Sequence, residues 1–241
     1  SGISAGDYAI FYDLGAGSYG EAIFGCYKIT AVDTGTNQFT VRSTHRKRAP
    51  STGVQQATFV IPKTVIISSA GVLDIGPGKS LGGITNLILV STSTTDRNIK
   101  VGMGGYLCLG DCVACSGGQG GIYNNGGTVC KFDNESVKHA ISSTATDGIA
   151  TIFGGISFLK HFKSSGNGSS GIYATQGGTN QVQYAYSCGN GTHGFSATVH
   201  GINVADSPQS LGNTTGYYAS TYGMNHIPSA VAGDNGTSYS P

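Results

Sequence analysis

Gly171-Ile172-Tyr173-Ala174, Gly194-Phe195-Ser196-Ala197 and Gly216-Tyr217-Tyr218-Ala219 are three versions of one step, set 23 and 22 residues apart. The same opening glycine stands at Gly83, Gly105, Gly127 and Gly148, with a weaker copy at Gly236, so the intervals run from 20 to 23 residues. Self-similarity at such a period is the mark of a solenoid. Residues one and three after the glycine lie two apart and share a strand face, which reads as inward. That column holds Ile172, Phe195 and Tyr217, then Cys108, Cys130, Ala174, Ala197 and Ala219. The column between them, with Leu107, Val129, Tyr173 and Tyr218, then reads as outward.

Two polar columns keep the same period. One runs Ser136, Ser157, Asn180, Asn203, Asn225; the other runs Asn167, Asn190, Asn213, Asn235. Amides at a fixed phase beside glycine imply stacked turns in which each side chain bonds its equivalent one coil away. The pattern predicts an all-β chain whose residues 63–241 form a parallel β-helix of about seven coils, one coil per ~22-residue repeat. A helical solenoid is excluded by the lack of any i, i+3, i+4 apolar stripe. Forty glycines and only 10% charged residues agree with turn-rich β structure.

Residues 1–62 lie outside the repeat. An apolar run at Tyr8–Tyr12 and alternation in Ile23–Val32 and Gln38–Ser43 flank the turn cluster Asp33-Thr34-Gly35-Thr36-Asn37. This predicts a hairpin within a small β-barrel or sandwich that caps the helix or serves as an interaction module. The opening Ser-Gly-Ile-Ser has neither a charged n-region nor an apolar h-region and reads as a mature or excised start. A net charge of +1 and a pI near 7.6 predict no nucleic-acid partner, and no 18-residue apolar run predicts membrane insertion.

Of six cysteines, Cys108, Cys112, Cys115 and Cys130 have a spacing open to three readings: buried thiols, zinc, or a local disulfide. The buried-thiol reading is favoured, with no metal or cofactor assigned. Four of the five Asn-x-Ser/Thr sequons fall in the closing Asn column, where turn chemistry explains them. Arg42, His45, Arg46, Lys47 and Arg48 form a basic loop, either simply solvated or a docking point for phosphate or carboxylate.

Hydrolysis of a glycoside needs two carboxyls facing one cleft. Asp111 and Asp133 are 22 apart, and Glu135 lies two beyond Asp133, so this triplet is the candidate acid and base set. His139 and His161 repeat the same 22-residue offset one coil on. A calcium-assisted lyase wants several acids converging on one oxygen cage, and the acids here are spread thin. Binding without catalysis draws on tyrosine, whose ring offers an apolar face and a polar tip. Tyr173, Tyr184, Tyr186 and Tyr218, with His139 and His161, are the candidates for contact with a glycan or with another subunit.

The Gly-Ile-Tyr-Ala, Gly-Phe-Ser-Ala and Gly-Tyr-Tyr-Ala coils, each closed by Asn-Gly or Asn-Thr, resemble the pectate-lyase-like right-handed β-helix of bacteriophage tailspikes and tail fibres. The lead-in from Val72 to Leu81 is similar to the first coil of many of them, and the resemblance covers about two thirds of the chain. It implies a homotrimer in a virion tail, synthesised in the host cytoplasm and joined to other tail proteins. It also implies recognition of host-surface polysaccharide, either capsule or lipopolysaccharide. Depolymerase activity and a purely structural spacer are the alternatives. No catalytic motif of that family carries over to residues of this chain.

Overall fold

In the computed structural model, the residues described are 2–14, 25–41, 57–61, 64–110, 113–131, 140–142, 144–233 and 235–240. They contain strands and turns but no helix. From residue 64 onward the chain winds through three parallel sheets in turn. Sheet 1 has eight strands, from Thr64–Ser68 to Val231–Gly233; sheet 2 has eight, from Leu73–Ile75 to Thr237–Ser240; sheet 3 has seven, from Ser80–Ile84 to Met224–His226. Each strand pairs in parallel with its equivalents in the coils before and after, which makes a parallel β-helix of about seven coils.

Inward side chains stack like upon like. In sheet 2 one register line runs Leu73, Ile99, Ile122, Ile149, Ile172, Phe195, Tyr217. Phe195 and Tyr217 stack at 5.3 Å, and the Tyr217 hydroxyl donates to the Pro208 and Val231 carbonyls, so a phenol is satisfied at the core's edge. Both predicted amide columns exist. Asn180 Nδ2 donates to Asn203 Oδ1 at 2.9 Å, and Asn203 Nδ2 to Asn225 Oδ1 at 2.8 Å. In the other column Asn167 donates to Asn190, Asn190 to Asn213 and Asn213 to Asn235, at 2.9, 3.0 and 3.3 Å. Asn167, Asn190 and Asn213 are buried, so three of the sequons are spent on the fold itself.

The glycine frame differs from the sequence expectation. Gly148, Gly171, Gly194 and Gly216 precede or open strands of sheet 2, whereas Gly105 and Gly127 precede strands of sheet 3. Most coils carry glycine at two corners, and the interval from Gly127 to Gly148 passes from one kind to the other. Tyr106, Thr128, Ile156, Thr179, Ile202 and Met224 are the true equivalents in sheet 3. Leu107 and Val129 are therefore core residues, fully buried, and Cys108 and Cys130 stand on the outer face around Tyr106. All five described cysteines are free thiols. Burial pushes the Cys115 thiol up to about 12 and Cys26 higher still, which leaves both inert as nucleophiles. Cys112 lies outside the described residues.

The N-terminal module is an antiparallel sheet of four strands, ordered Gln38–Val41, Gly25–Asp33, Tyr8–Leu14, Ala57–Val60. Its predicted hairpin turns where Asp33 Oδ1 accepts the Gly35 and Thr36 amides and Asn37 takes a left-handed φ of 55°. Tyr8, Ile10 and Cys26 pack on Ile88, Val90 and Val65, which point outward from sheet 1, and Ser116 Oγ donates to the Cys26 carbonyl. Through these contacts the module packs on the flank of the helix. An apolar outer face on sheet 1 draws it there, while the first coil's Ile66 and Ile67 stay exposed.

Candidate ligand-binding groove

Strand alternation decides what the outer face of sheet 3 displays. Ser157, Asn180 and Asn203 point inward, so the neighbouring register line of Phe158, Gln181 and Val204 points out, as does the line of Lys160, Gln183 and Asp206 two residues on. These side chains line a groove of about 470 Å³ that crosses the coils. Phe158 and Val204 give it an apolar floor; Gln181, Gln183, Lys160 and Asp206 supply amide, ammonium and carboxylate groups. Gln183 Nε2 donates to Asp206 Oδ2 at 3.2 Å and Ser207 Oγ donates to Asp206 Oδ1 at 3.1 Å, so the carboxylate is held in place. Lys131, only 2% exposed, donates its ammonium to the Lys160 carbonyl at one end of the groove.

His161 and Tyr184 follow Lys160 and Gln183 directly at the corner into sheet 1. Their rings stack at 5.1 Å with 18° between planes, so the structure brings these two candidates together beside the groove. Tyr186 lies two residues on, in sheet 1, with Lys163 Nζ 5.7 Å from its ring centroid. Tyr173 and Tyr218 belong to another face, the outside of sheet 2, in one register line with Ser196 between them. Asp111, Asp133, Glu135, His139 and the basic loop Arg42, His45, Arg46, Lys47 and Arg48 lie outside the described residues. Among the described residues, Asp206 is the one acid lining the groove, and no group of three or more potential metal ligands converges.

The sequence reading missed both the groove and a polar column at the corner into sheet 2, although each repeats every 23 residues. In that column Ser170 N–H donates to Asp147 Oδ1 at 3.0 Å, and Ser170 Oγ lies 3.5 Å from His193 Nδ1. His193 stacks on Tyr218 at 4.4 Å. Burial pushes the Asp147 carboxyl above its ordinary range, against the opposing pull of bonds from Ser170 and Ser169 and of Arg97. Burial also holds the His193 imidazole below its usual 6.5. The two act on stability with opposite signs. Asp147 binds its proton more tightly folded than unfolded, so the fold loses stability as pH rises through the carboxylate range; His193 binds it less tightly, so stability falls as pH drops through 6.5. Asp147→Asn, which keeps an acceptor for Ser170, is expected to raise the melting temperature at pH 7, with the gain fading as pH falls through the raised carboxyl range and gone by about pH 4. Thermal melts from pH 3 to 8 read this directly, and equal melts at pH 7 would refute it.

No protein-family model matches this chain, nor does any curated protein or solved structure.

Proposed function

We propose that this chain is a segment of a bacteriophage tail fibre or tailspike that binds a host-surface polysaccharide, capsule or lipopolysaccharide, as a homotrimer without cleaving it. The observation that carries the reading is the groove on sheet 3. It runs across the coils, is open along one side, and sets the Gln181 and Gln183 amides against the apolar Phe158 and Val204. A polysaccharide has the matching chemistry: a long chain with apolar C–H faces and hydroxyls that both donate and accept. An amide likewise does both. The groove's one carboxylate among the described residues, Asp206, is already held by Gln183 and Ser207, and so serves as a hydrogen-bond acceptor for sugar hydroxyls.

The test is titration of purified chain with size-fractionated capsule and lipopolysaccharide oligosaccharides, with a reducing-end assay on the same mixtures and sedimentation velocity on the protein. Micromolar binding, a trimer and no new reducing ends are expected. Gln181→Ala with Gln183→Ala removes two sets of hydrogen bonds worth roughly 1 kcal/mol each, so affinity falls about tenfold or more. A stable monomer, or unaltered binding by the double variant, overturns the reading. Release of oligosaccharides would put the depolymerase alternative first, with Asp133→Asn as the variant that abolishes it.

A further inference from the structure

The corner between sheets 2 and 3 holds one position at which coil after coil takes a left-handed backbone. Five coils fill it with glycine: Gly78, Gly104, Gly126, Gly154 and Gly177, with φ from 66° to 78°. The next two fill it with His200 (φ 61°) and Tyr222 (φ 64°). The residue just before is left-handed in these two coils, Val199 at 45° and Thr221 at 49°, and also in two of the glycine coils, Phe153 and Gln176 at 49° each. The double left-handed turn thus belongs to the corner, and what changes here is His200 and Tyr222 in place of glycine. Val199 and Thr221 are β-branched, the class for which this conformation is a true outlier. Each such residue costs about 1–2 kcal/mol where glycine costs nothing. A Cβ built on Gly78 or Gly154 meets nothing within 4 Å, and His200 and Tyr222 are both exposed, so their side chains gain no core contact and project into water.

What the strain achieves is a display of rings. His200 and Tyr222 stack at 5.2 Å with 9° between planes, and Tyr222 is 82% exposed, so the ring face turned from His200 is bare. Ser220 and Thr221 precede Tyr222 in the chain, at the end of the sheet 2 strand and in the corner, and Met224, 55% exposed, opens the following sheet 3 strand. Strain held at an exposed site in this way is characteristic of ligand contacts.

We propose that His200 and Tyr222 form a second saccharide subsite, in which the apolar face of a pyranose ring packs on Tyr222 while its hydroxyls bond Ser220, Thr221 and His200. The inference rests on the polysaccharide reading above and extends it. The groove residue Asp206 ends the strand Ile202–Asp206, and this corner lies just before Ile202, so the two sites are about one five-residue strand apart, roughly 15 Å. One oligosaccharide of a few residues reaches both.

The test compares wild type, His200→Gly with Tyr222→Gly, and Tyr222→Trp, using the oligosaccharides above. The chain contains no tryptophan, so Tyr222→Trp reports on this corner alone. The glycine pair is expected to melt no lower than wild type, since it relieves left-handed strain, and to bind at least tenfold more weakly. The tryptophan variant is expected to bind with a change in emission. Wild-type affinity in the glycine pair overturns the subsite while leaving the groove reading intact, and so does a melting temperature several degrees lower, which would make the rings structural. Failure of wild type to bind any fraction overturns both.

Discussion

Replacing Asn190 with alanine is expected to cost roughly 2–4 kcal/mol, one of the largest single losses available in this fold. Asn190 is 1% exposed and sits mid-ladder. Its Oδ1 accepts both the backbone and side-chain N–H of Asn167, at 3.1 and 2.9 Å, and its Nδ2 donates to Ser187 Oγ and Asn213 Oδ1. Alanine strands the Asn167 backbone N–H in the interior, whereas the Asn167 side chain keeps Ser164 and Asn213 keeps the Asn190 amide. A buried donor left unpaired costs about 1–3 kcal/mol before the other lost bonds are counted. Urea unfolding reads it as a lowered midpoint. Asn190→Asp sharpens the case. A carboxylate still accepts from Asn167 but cannot donate to Asn213 Oδ1, and it buries a charge. Its loss therefore exceeds alanine's at neutral pH and shrinks in acid as the carboxyl protonates. An alanine variant within about 0.5 kcal/mol of wild type would mean that the ladder contributes shape and no stability.

Gly201→Ala should be at least as damaging, about 4 kcal/mol or more, and Gly177→Ala should cost only about 1–2 kcal/mol. The two glycines belong to the same kind of corner and differ in what surrounds them. A Cβ on Gly201 falls inside the contact radius of the Ala174 carbonyl, as it does at Gly178 against Thr151 and at Gly223 against Ala197. Those neighbours are backbone and belong to the coil below, so relief requires moving a whole coil. At Gly177 the nearest atom is 3.8 Å away, and the only penalty is the left-handed φ of 78°. Soluble yield and chemical unfolding of the two variants side by side give the comparison. Equal losses would show that backbone conformation, and not close approach between coils, dictates these glycines.

The sequence revealed what stacking dictates. Asn180, Asn203 and Asn225 were visible as a column because an amide is the side chain that both donates to the coil above and accepts from the coil below. The glycine frame misled because Gly105 and Gly148 look alike and serve different corners; reading them as one column turned Leu107 and Val129 outward and Cys108 inward. Phe158, Gln181 and Val204 were not legible as a site. They share a register line at a 23-residue spacing, but an outward position places no demand on residue type, so a phenylalanine, a glutamine and a valine did not show as a column. His161 is singled out by its 22-residue offset from His139 and Tyr184 by its ring, and their stacking on each other follows from the 23-residue offset between them.

The three sheets also fix how the molecule answers to force. Every strand lies across the long axis and every ladder bond runs along it, from Ile99 to Ile122 to Ile149 and onward. Tension between the two ends loads these bonds one coil at a time, like a zip, whereas a sideways push is resisted by whole strands in bending. Each coil that peels away turns about 4.8 Å of rise into some 23 residues of slack chain, a gain of roughly 70 Å. Such a rod is stiff until it yields, and then lengthens in equal steps that absorb a pull without breaking the chain.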